Sequence, residues 1–506
     1  MAISNLIQDY IFISLFAFFI SVILTPIIRN RCQQRNVLDF PTLARKIHTH
    51  PIPRLGGIAI YFGFFLSLLS IFLADGPVHS LFIAHLDILL SLLVTSSLIF
   101  VIGIYDDIHG ATVFQKLSVQ TLAAILIYFL GFKINIIAIP FVGQVNLGIW
   151  GFPLTILWFV GVTNAINFTD GVDGVASGVG FFSVSTIFIL SLFLHHTLTA
   201  CFAAALAGGI FGFALYNFAP ASIFMGDSGS LFIGFVIAAI SLHGSQKSST
   251  AVVLLIPIVA LGVPIADTLL AIIRRVGKGR SPFTADKEHI HHKLLGMGFS
   301  SRQVAFILYG VCCLLGITAL LMTAVNNQVL TLILLILSVM TIGGMKMLGY
   351  TTNMMEVSTL AKKRIQEKKE FLRKQKSAQE ILEEIQTTTD GVMLKKLLIR
   401  YLESLEFDTG KIAFSSIRKT FEKARGVNFS VRLSWLSPRC EEQNLPHNQI
   451  WKIQIPLVCH NQSIGELEIG KYLAPEVSSL ETLFFAEHLK YAIEYALTHH
   501  QKHSAY

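Results

Sequence analysis

Eleven apolar runs leave most of this chain one kind of backbone. They fall near residues 10–28, 56–74, 82–104, 117–132, 146–163, 178–194, 198–215, 229–244, 250–273, 303–324 and 328–346. About 20 apolar residues match the thickness of a bilayer's hydrocarbon core when coiled as an α-helix, and in lipid each backbone N–H and C=O must be satisfied within the protein. With 53% hydrophobic and only 14% charged residues over 506 positions, the expected fold is an all-α polytopic membrane protein of about eleven spans. The first run lacks a basic leading segment and a small-residue cleavage site, so it reads as a retained helix.

Charge is distributed to match. The loops 29–55, 105–116, 164–177, 216–228 and 274–302 hold 14 Lys and Arg, whereas the alternate loops hold Lys133 and Lys247 alone. The excess of basic residues on one side assigns that side to the cytoplasm and the N-terminus to the outside. The formal net charge of +8 therefore follows membrane topology and gives no reason to invoke nucleic acid. Residues 351–506 carry 22 of the 39 Lys+Arg and 19 of the 31 Asp+Glu. The chain divides into a membrane domain at 1–348, a basic helical linker at 349–388, and a cytoplasmic α/β domain at 389–506. Lys362, Lys363, Arg364, Lys368, Lys369, Arg373, Lys374 and Lys376 suit the linker to anionic headgroups or to pairing with a second copy. Alternation at 428–436 and 450–471, broken by His-Asn-Gln-Ser, predicts a hairpin, and 474–498 a closing helix. The six cysteines form no Cys-x-x-Cys pair or framework and read as packing residues.

Against this background five aspartates stand out. Asp106 and Asp107 follow Ile-Phe-Val-Ile-Gly-Ile-Tyr, Asp170 and Asp173 lie in Asn-Ala-Ile-Asn-Phe-Thr-Asp-Gly-Val-Asp-Gly, and Asp227 in Phe-Met-Gly-Asp-Ser-Gly-Ser. A charge at the bilayer centre costs roughly 2.5–3.5 kcal/mol on insertion scales, so carboxylates at span ends belong at an aqueous face around a cation. All five fall in loops assigned to the cytoplasm. Adjacent Asp106 and Asp107 cannot point the same way, so one is free to ligand a cation while the other meets substrate or takes a proton; helix capping is the plainer alternative. Asp170, Asp173 and Asn167 recur at i, i+3 spacing and share a face. Asp227, among glycines just ahead of an apolar helix, sits beside exposed N–H groups suited to a metal-bridged phosphate. Hard oxygen donors of this kind suit Mg²⁺, with Mn²⁺ the alternative.

A basic loop holds His289, His291, His292 and Lys293 together with Arg275. The three histidines lack the i, i+4 spacing and cysteine company of a zinc site and read as a diphosphate-binding wall. Arg45, Lys46 and His48 precede Pro51-Ile52-Pro53-Arg54-Leu55-Gly56-Gly57, a rigid lead into the second helix.

Taken together these motifs resemble the polyprenyl-phosphate N-acetylhexosamine-1-phosphate transferases, glycosyltransferase family 4, over about residues 1–345. The Asp-Asp pair, Asn-x-x-Asn-x-x-Asp-Gly-x-Asp-Gly, Gly-Asp-x-Gly-Ser and His-x-His-His occur in family order. The resemblance implies a multi-pass bacterial inner-membrane enzyme, dependent on Mg²⁺, that moves a sugar 1-phosphate from a UDP-sugar to a polyprenyl phosphate and releases UMP. By position it implies Asp227 and Asn167 for the metal, and Asp106 and Asp107 for the lipid phosphate. It implies Asn217 and Phe224 for uracil, Asp170 and Asp173 for the floor of the nucleotide site, and His289, His291 and His292 for the diphosphate. Lys116, Arg45, His48 and Arg275 complete the expected substrate contacts.

The first loop and His-Ile-His-His resemble the branch that uses UDP-GlcNAc, leaving phospho-MurNAc-pentapeptide transfer, or another UDP-N-acetylhexosamine, as the alternative. One departure is that Ala111-Thr112-Val113-Phe114 stands where the family often has Leu-x-Pro before the lysine. The tail resembles a GAF-like domain faintly. A membrane transporter should show an internal repeat and polar groups at the midplane, and a sensor would not need five clustered carboxylates.

Overall fold

The computed structural model describes residues 2–40, 51–73, 75–139, 143–246, 255–277, 289–323, 327–348, 350–387, 391–405, 407, 409–414, 432–436, 450–459, 462–472 and 486–495. Two compact units divide between Thr359 and Leu360.

In chain order the first unit contains α1 (Ala2–Gln34), β1 (Leu38–Asp39), β2 (Ile52–Pro53), α2 (Gly57–Ser70), α3 (Pro77–Ala84), α4 (Leu86–His109) and α5 (Val113–Phe129). Then come β3 (Ile136–Ile139), β4 (Gly143–Asn146), α6 (Gly151–Phe168), α7 (Val175–Phe193), α8 (Thr197–Asn217) and α9 (Gly226–Gln246). It continues with α10 (Leu255–Ala260), α11 (Gly262–Gly277), α12 (Ile290–Gly296), α13 (Ser301–Leu321) and α14 (Asn327–Met347). The four short strands pair as two antiparallel ribbons, β1 with β2 and β3 with β4. This is a mostly helical polytopic membrane protein. Among the described residues seven helices are long and apolar enough to cross a bilayer, or eight if the bent pair Gly57–Leu73 and Pro77–Ala84 counts as one span.

Each of the eleven apolar runs is mainly helical in its described part, but not all are full-length helices. The run at 250–273 is broken between α10 and α11 at Leu261, where Pro264 occupies the first turn of the new helix, a position that tolerates its missing N–H. α5 and the 328–344 part of α14 are apolar but shorter than those seven.

The bundle is built around α9, which packs on α2, α4, α6, α7 and α8. Its side chains are apolar on every face, with Phe232, Ile233, Phe235, Val236, Ile237 and Ile240 almost fully buried. A helix apolar all round belongs in the middle of an assembly. Consequently the first turn of α9, with Asp227, is surrounded by the ends of its neighbours.

The second unit forms from the C-terminal part of α15 (Tyr350–Thr387), α16 (Gly391–Ser404), a four-stranded antiparallel sheet and a helix at 486–495, α17. The strands β5 (Thr409–Phe414), β6 (Arg432–Leu436), β7 (Ile450–Cys459) and β8 (Gln462–Tyr472) are ordered β6-β5-β8-β7. β7 and β8 make the expected hairpin, with Cys459 opposite Gln462 across a turn whose two residues lie outside those described. β5 was not expected. Its Gly410 and alternating Lys411, Ile412 and Ala413 give little apolar signal, and it becomes a central strand by pairing on both sides. Ile381, Ile385, Leu398, Tyr401, Leu457, Leu467 and Leu489 fill a core of the unit's own.

Candidate active site

Six segments meet at one end of the bundle, around the first turn of α9, and enclose a cleft of about 600 Å³. Asp106, Asp107, Lys116, Asn167, Asp170, Asp173, Asn217, Phe224, Asp227, His289, His291 and His292 all line it.

Asp106 and Asp107 occupy the last turn of α4, where consecutive side chains diverge. Asp107 is buried. Its Oδ1 accepts the backbone N–H of Asp227 at 2.9 Å and its Oδ2 that of Ser228 at 3.0 Å. These belong to the N–H groups that a helix start leaves without intrahelical partners. Asp107 thus caps α9, a helix remote in sequence from its own. Asp106 turns the other way, accepting from Ala111 N at 2.6 Å and lying 3.2 Å from Lys116 Nζ.

Thr112 and Gln115 form a capping box that starts α5, so the departure from the family's Leu-x-Pro still begins a helix here. That start carries Lys116 inward. Its ammonium donates to Asp106 Oδ2 and, at 2.8 Å, to Asp227 Oδ2. The other oxygen of Asp227 accepts from Asn167 Nδ2 at 3.0 Å, and the same nitrogen lies 2.9 Å from Ser230 Oγ. Asp227 therefore joins side chains from α5 and α6 at the cleft's centre.

Asp170 and Asp173 sit on the turn between α6 and α7. Burial pushes the Asp170 carboxyl up to about 8, with the charges of Asp227, Asp107 and Asp173 adding to it; at neutral pH it is mostly protonated. Asp173 Oδ2 accepts from Ala221 N at 2.9 Å. Asn217, also buried, donates to Ile223 O at 3.1 Å and accepts from Ser177 Oγ at 2.9 Å. Both residues hold the 218–225 segment in place. Phe224 is clamped from the other side by the stretch after β2: its N–H donates to Pro53 O at 2.8 Å and its carbonyl accepts from Gly56 N at 3.0 Å. Its half-buried ring faces a site whose wall cannot easily shift.

The histidine segment closes the opposite wall. The rings of His289 and His291 are 5.7 Å apart and nearly parallel, and His291 and His292 are 4.4 Å apart. His291 packs against Gly171 so closely that a Cβ there would overlap its Nε2. Burial, with His292 next, pushes the His291 imidazole down to about 3. Arg275 is buried with its guanidinium 5.8 Å from the Phe168 ring centre and does not line the cleft. Arg54 does, paired with Asp39. Arg45, Lys46, His48, Lys278, Arg280 and Lys287 lie outside the described residues.

The sequence reading passed over Asp267. Its carboxylate is buried in α11 and contacts His289. An aspartate inside an apolar run is itself a signal, because a charge there needs a partner.

Among the described residues no three His, Cys, Asp or Glu side chains converge as a metal-ligand group. The donors nevertheless suit Mg²⁺, which is commonly held by one or two carboxylates plus substrate phosphates and water. Asp227 and the amide oxygen of Asn167 are hard donors of that kind, and the Lys116 ammonium marks the point between Asp106 and Asp227 as one that favours positive charge.

A membrane-embedded bundle with a carboxylate-rich cleft at its end defines a class of integral-membrane enzyme acting on a charged substrate. Comparison with known proteins narrows it. The glycosyl transferase family 4 model matches residues 89–245. Over 318 residues the chain is 37% identical to the probable undecaprenyl-phosphate N-acetylglucosaminyl 1-phosphate transferase of Bacillus subtilis, covering 62% of this chain and 86% of that one. Over 288 residues it is 36% identical to the decaprenyl-phosphate N-acetylglucosaminephosphotransferase of Mycobacterium leprae, covering 52% and 72%. The undecaprenyl-phosphate alpha-N-acetylglucosaminyl 1-phosphate transferase of Escherichia coli K12 is 29% identical over 314 residues, covering 60% and 79%. The chain belongs to glycosyl transferase family 4, among its polyprenyl-phosphate N-acetylhexosamine-1-phosphate transferases.

Proposed function

We propose that this enzyme transfers N-acetylglucosamine 1-phosphate from UDP-GlcNAc to undecaprenyl phosphate, releasing UMP and starting a cell-envelope polysaccharide. It works on the cytoplasmic face of the bacterial inner membrane, with the eleven apolar segments crossing in turn. The observation that carries this reading is the convergence of the three aspartate motifs and the histidine segment on one cleft. The Bacillus and Escherichia relatives are named for N-acetylglucosaminyl 1-phosphate and undecaprenyl phosphate, which supports the choice of donor and acceptor.

In the transfer, an oxygen of the lipid phosphate bonds to the sugar-bearing phosphorus while the bond from that phosphorus to the UMP oxygen breaks. The products are a lipid diphosphate carrying the sugar, and UMP. Three phosphate groups repel one another in this approach, and the protein's task is chiefly positioning and charge stabilisation. Phe224 stacks on uracil and Asn217 fixes the wall behind it. His289 and His292 donate to the diphosphate, and Lys116 steadies Asp106 and Asp227. Asp106, at the cleft edge beside Lys116, takes up any proton on the acceptor phosphate. Asp107 acts by holding the α9 start, and with it Asp227, in register. Mg²⁺, held by Asp227 and Asn167, supplies Lewis-acid neutralisation of the diphosphate when bound.

Membranes given labelled UDP-GlcNAc and undecaprenyl phosphate should yield lipid-linked label with one UMP per transfer, and UDP-MurNAc-pentapeptide should not serve. Transfer from the peptide-bearing donor would shift the assignment to that alternative; no lipid label from either would favour a transporter or sensor. Phe224→Ala should weaken UMP inhibition about tenfold, since aromatic stacking contributes on the order of 1 kcal/mol beyond area; an unchanged inhibition constant removes Phe224 from the nucleotide site.

The tail serves regulation or assembly, because every motif lies before residue 294. Ending the chain after residue 350 should leave transfer measurable in detergent while altering its response to anionic lipid or its oligomeric mass. Loss of all turnover in correctly inserted protein would make the tail part of the active structure.

A further inference from the structure

The histidine segment is anchored from behind by a residue that does not line the cleft. Asp267, only 2% exposed on the second turn of α11, spends both carboxylate oxygens on the start of α12. Oδ2 lies 2.9 Å from His289 Nδ1, and Oδ1 accepts the backbone N–H of Ile290 at 2.9 Å. His289 is itself buried, between the Phe168 ring at 5.7 Å and the parallel His291 ring.

The geometry points to Asp267 as a positioning residue that fixes the Nδ1 proton and the aim of His289. A carboxylate has no proton to give at neutral pH, so the 2.9 Å contact requires Nδ1 to be the donor. Nε2 is then the ring nitrogen left to face a substrate phosphate, and the proposed donation there takes a second ring proton, so Asp267 on one side and the diphosphate on the other hold His289 as an imidazolium. The second bond, to Ile290, prevents the ring and the backbone that carries it from moving separately. A hydrogen bond to one ring nitrogen determines what the other can do. This arrangement ties the phosphate-facing side chain to a membrane helix across the 278–288 segment. The inference rests on the proposed role of His289 at the diphosphate and adds the residue that makes this role specific.

Asp267→Asn separates anchoring from charge. The amide keeps the volume and an oxygen for Ile290, but presents N–H to Nδ1, so Nδ1 must accept there and the ring facing the diphosphate is neutral, without the positive charge that the carboxylate supports. Turnover of the full chain should fall on the order of 100-fold, with KM for the UDP-sugar changed less than threefold. In a His289→Gln background the same substitution should cost less than threefold, because the ring it acts through is gone.

Equal losses in both backgrounds, or near-normal turnover of Asp267→Asn, would overturn the inference. If Asp267→Asn is not recovered folded, Asp267→Glu, which keeps the carboxylate but displaces it, is put through the same pair of backgrounds; a loss confined to the His289 background supports the inference and an equal loss in both overturns it. Failure of wild-type transfer with every donor offered would count against the proposed function instead, so the two failures are distinguishable.

Discussion

Asp227→Asn should give a protein that inserts and folds normally and transfers nothing measurable. The substitution keeps the size of the side chain and leaves Asp107 capping α9 through the backbone of residues 227 and 228. What it removes is a negative charge that faces Lys116 and, in the proposed mechanism, the metal. Electrostatic groups aimed at developing charge typically contribute 10²–10³ each to turnover. A metal ligand should exceed that, so a loss on the order of 10³-fold or more is expected, about 4 kcal/mol of transition-state stabilisation. Mg²⁺ titration of the purified variant followed by thermal unfolding provides a readout independent of turnover: the metal-dependent rise in midpoint should disappear. Turnover near wild type in folded protein would remove Asp227 from the metal site.

Gly103→Ala should be nearly as damaging, for a reason that has nothing to do with chemistry. α4 crosses the first turn of α9 at Gly103, and a Cβ there would lie 2.5 Å from Ser228 Cα, 2.6 Å from Ser228 N and 2.7 Å from Asp227 O. All three are backbone atoms of the segment that carries the central aspartate, so no rotamer change relieves the overlap. Inserting one methyl into a packed core typically costs 1–3 kcal/mol. Here the strain must be relieved by separating α4 from α9, which also pulls Asp107 from its two N–H partners and displaces Asp227. A lower unfolding midpoint and turnover reduced at least tenfold are expected together. Gly161→Ala on α6 is the matched control, because nothing lies within 4 Å of its added Cβ; alanine there should be neutral or stabilising by roughly 0.5–1 kcal/mol. If both variants behave alike, close approach at Gly103 is not what holds the site.

Much of the architecture was legible because each strong signal is local. A run such as 198–215 must be helical in lipid whatever its neighbours do, and α8 spans Thr197–Asn217. The motifs could be grouped because each contains carboxylates where an apolar segment ends, a costly placement that needs a shared explanation. Signals that depend on pairing were weaker. β5 carries almost no alternation of its own and owes its place to two partners. The break at Leu261 divides a run that hydropathy alone reads as continuous.

The roles within each aspartate motif were less legible still. Asp106 and Asp107 are chemically identical, and adjacency predicts only that they diverge. That Asp107 caps α9 while Asp106 meets Lys116 depends on α4 and α9 crossing at a glycine. Asp173 and Asn217 read in sequence as contacts to the nucleotide, and only the structure adds that each makes a hydrogen bond that holds the segment bearing Phe224.

By itself the sequence determined that the chain is a bundle of membrane helices with an acidic, phosphate-handling end and a separate charged tail, because hydrocarbon solvation and charge cost act on each segment independently. Only the tertiary structure decided which carboxylate pairs with Lys116, which one caps a helix and which histidine is anchored to Asp267. Those assignments arise from contacts between residues 10 to 121 positions apart, and such distances are set by helix packing, which no local pattern specifies.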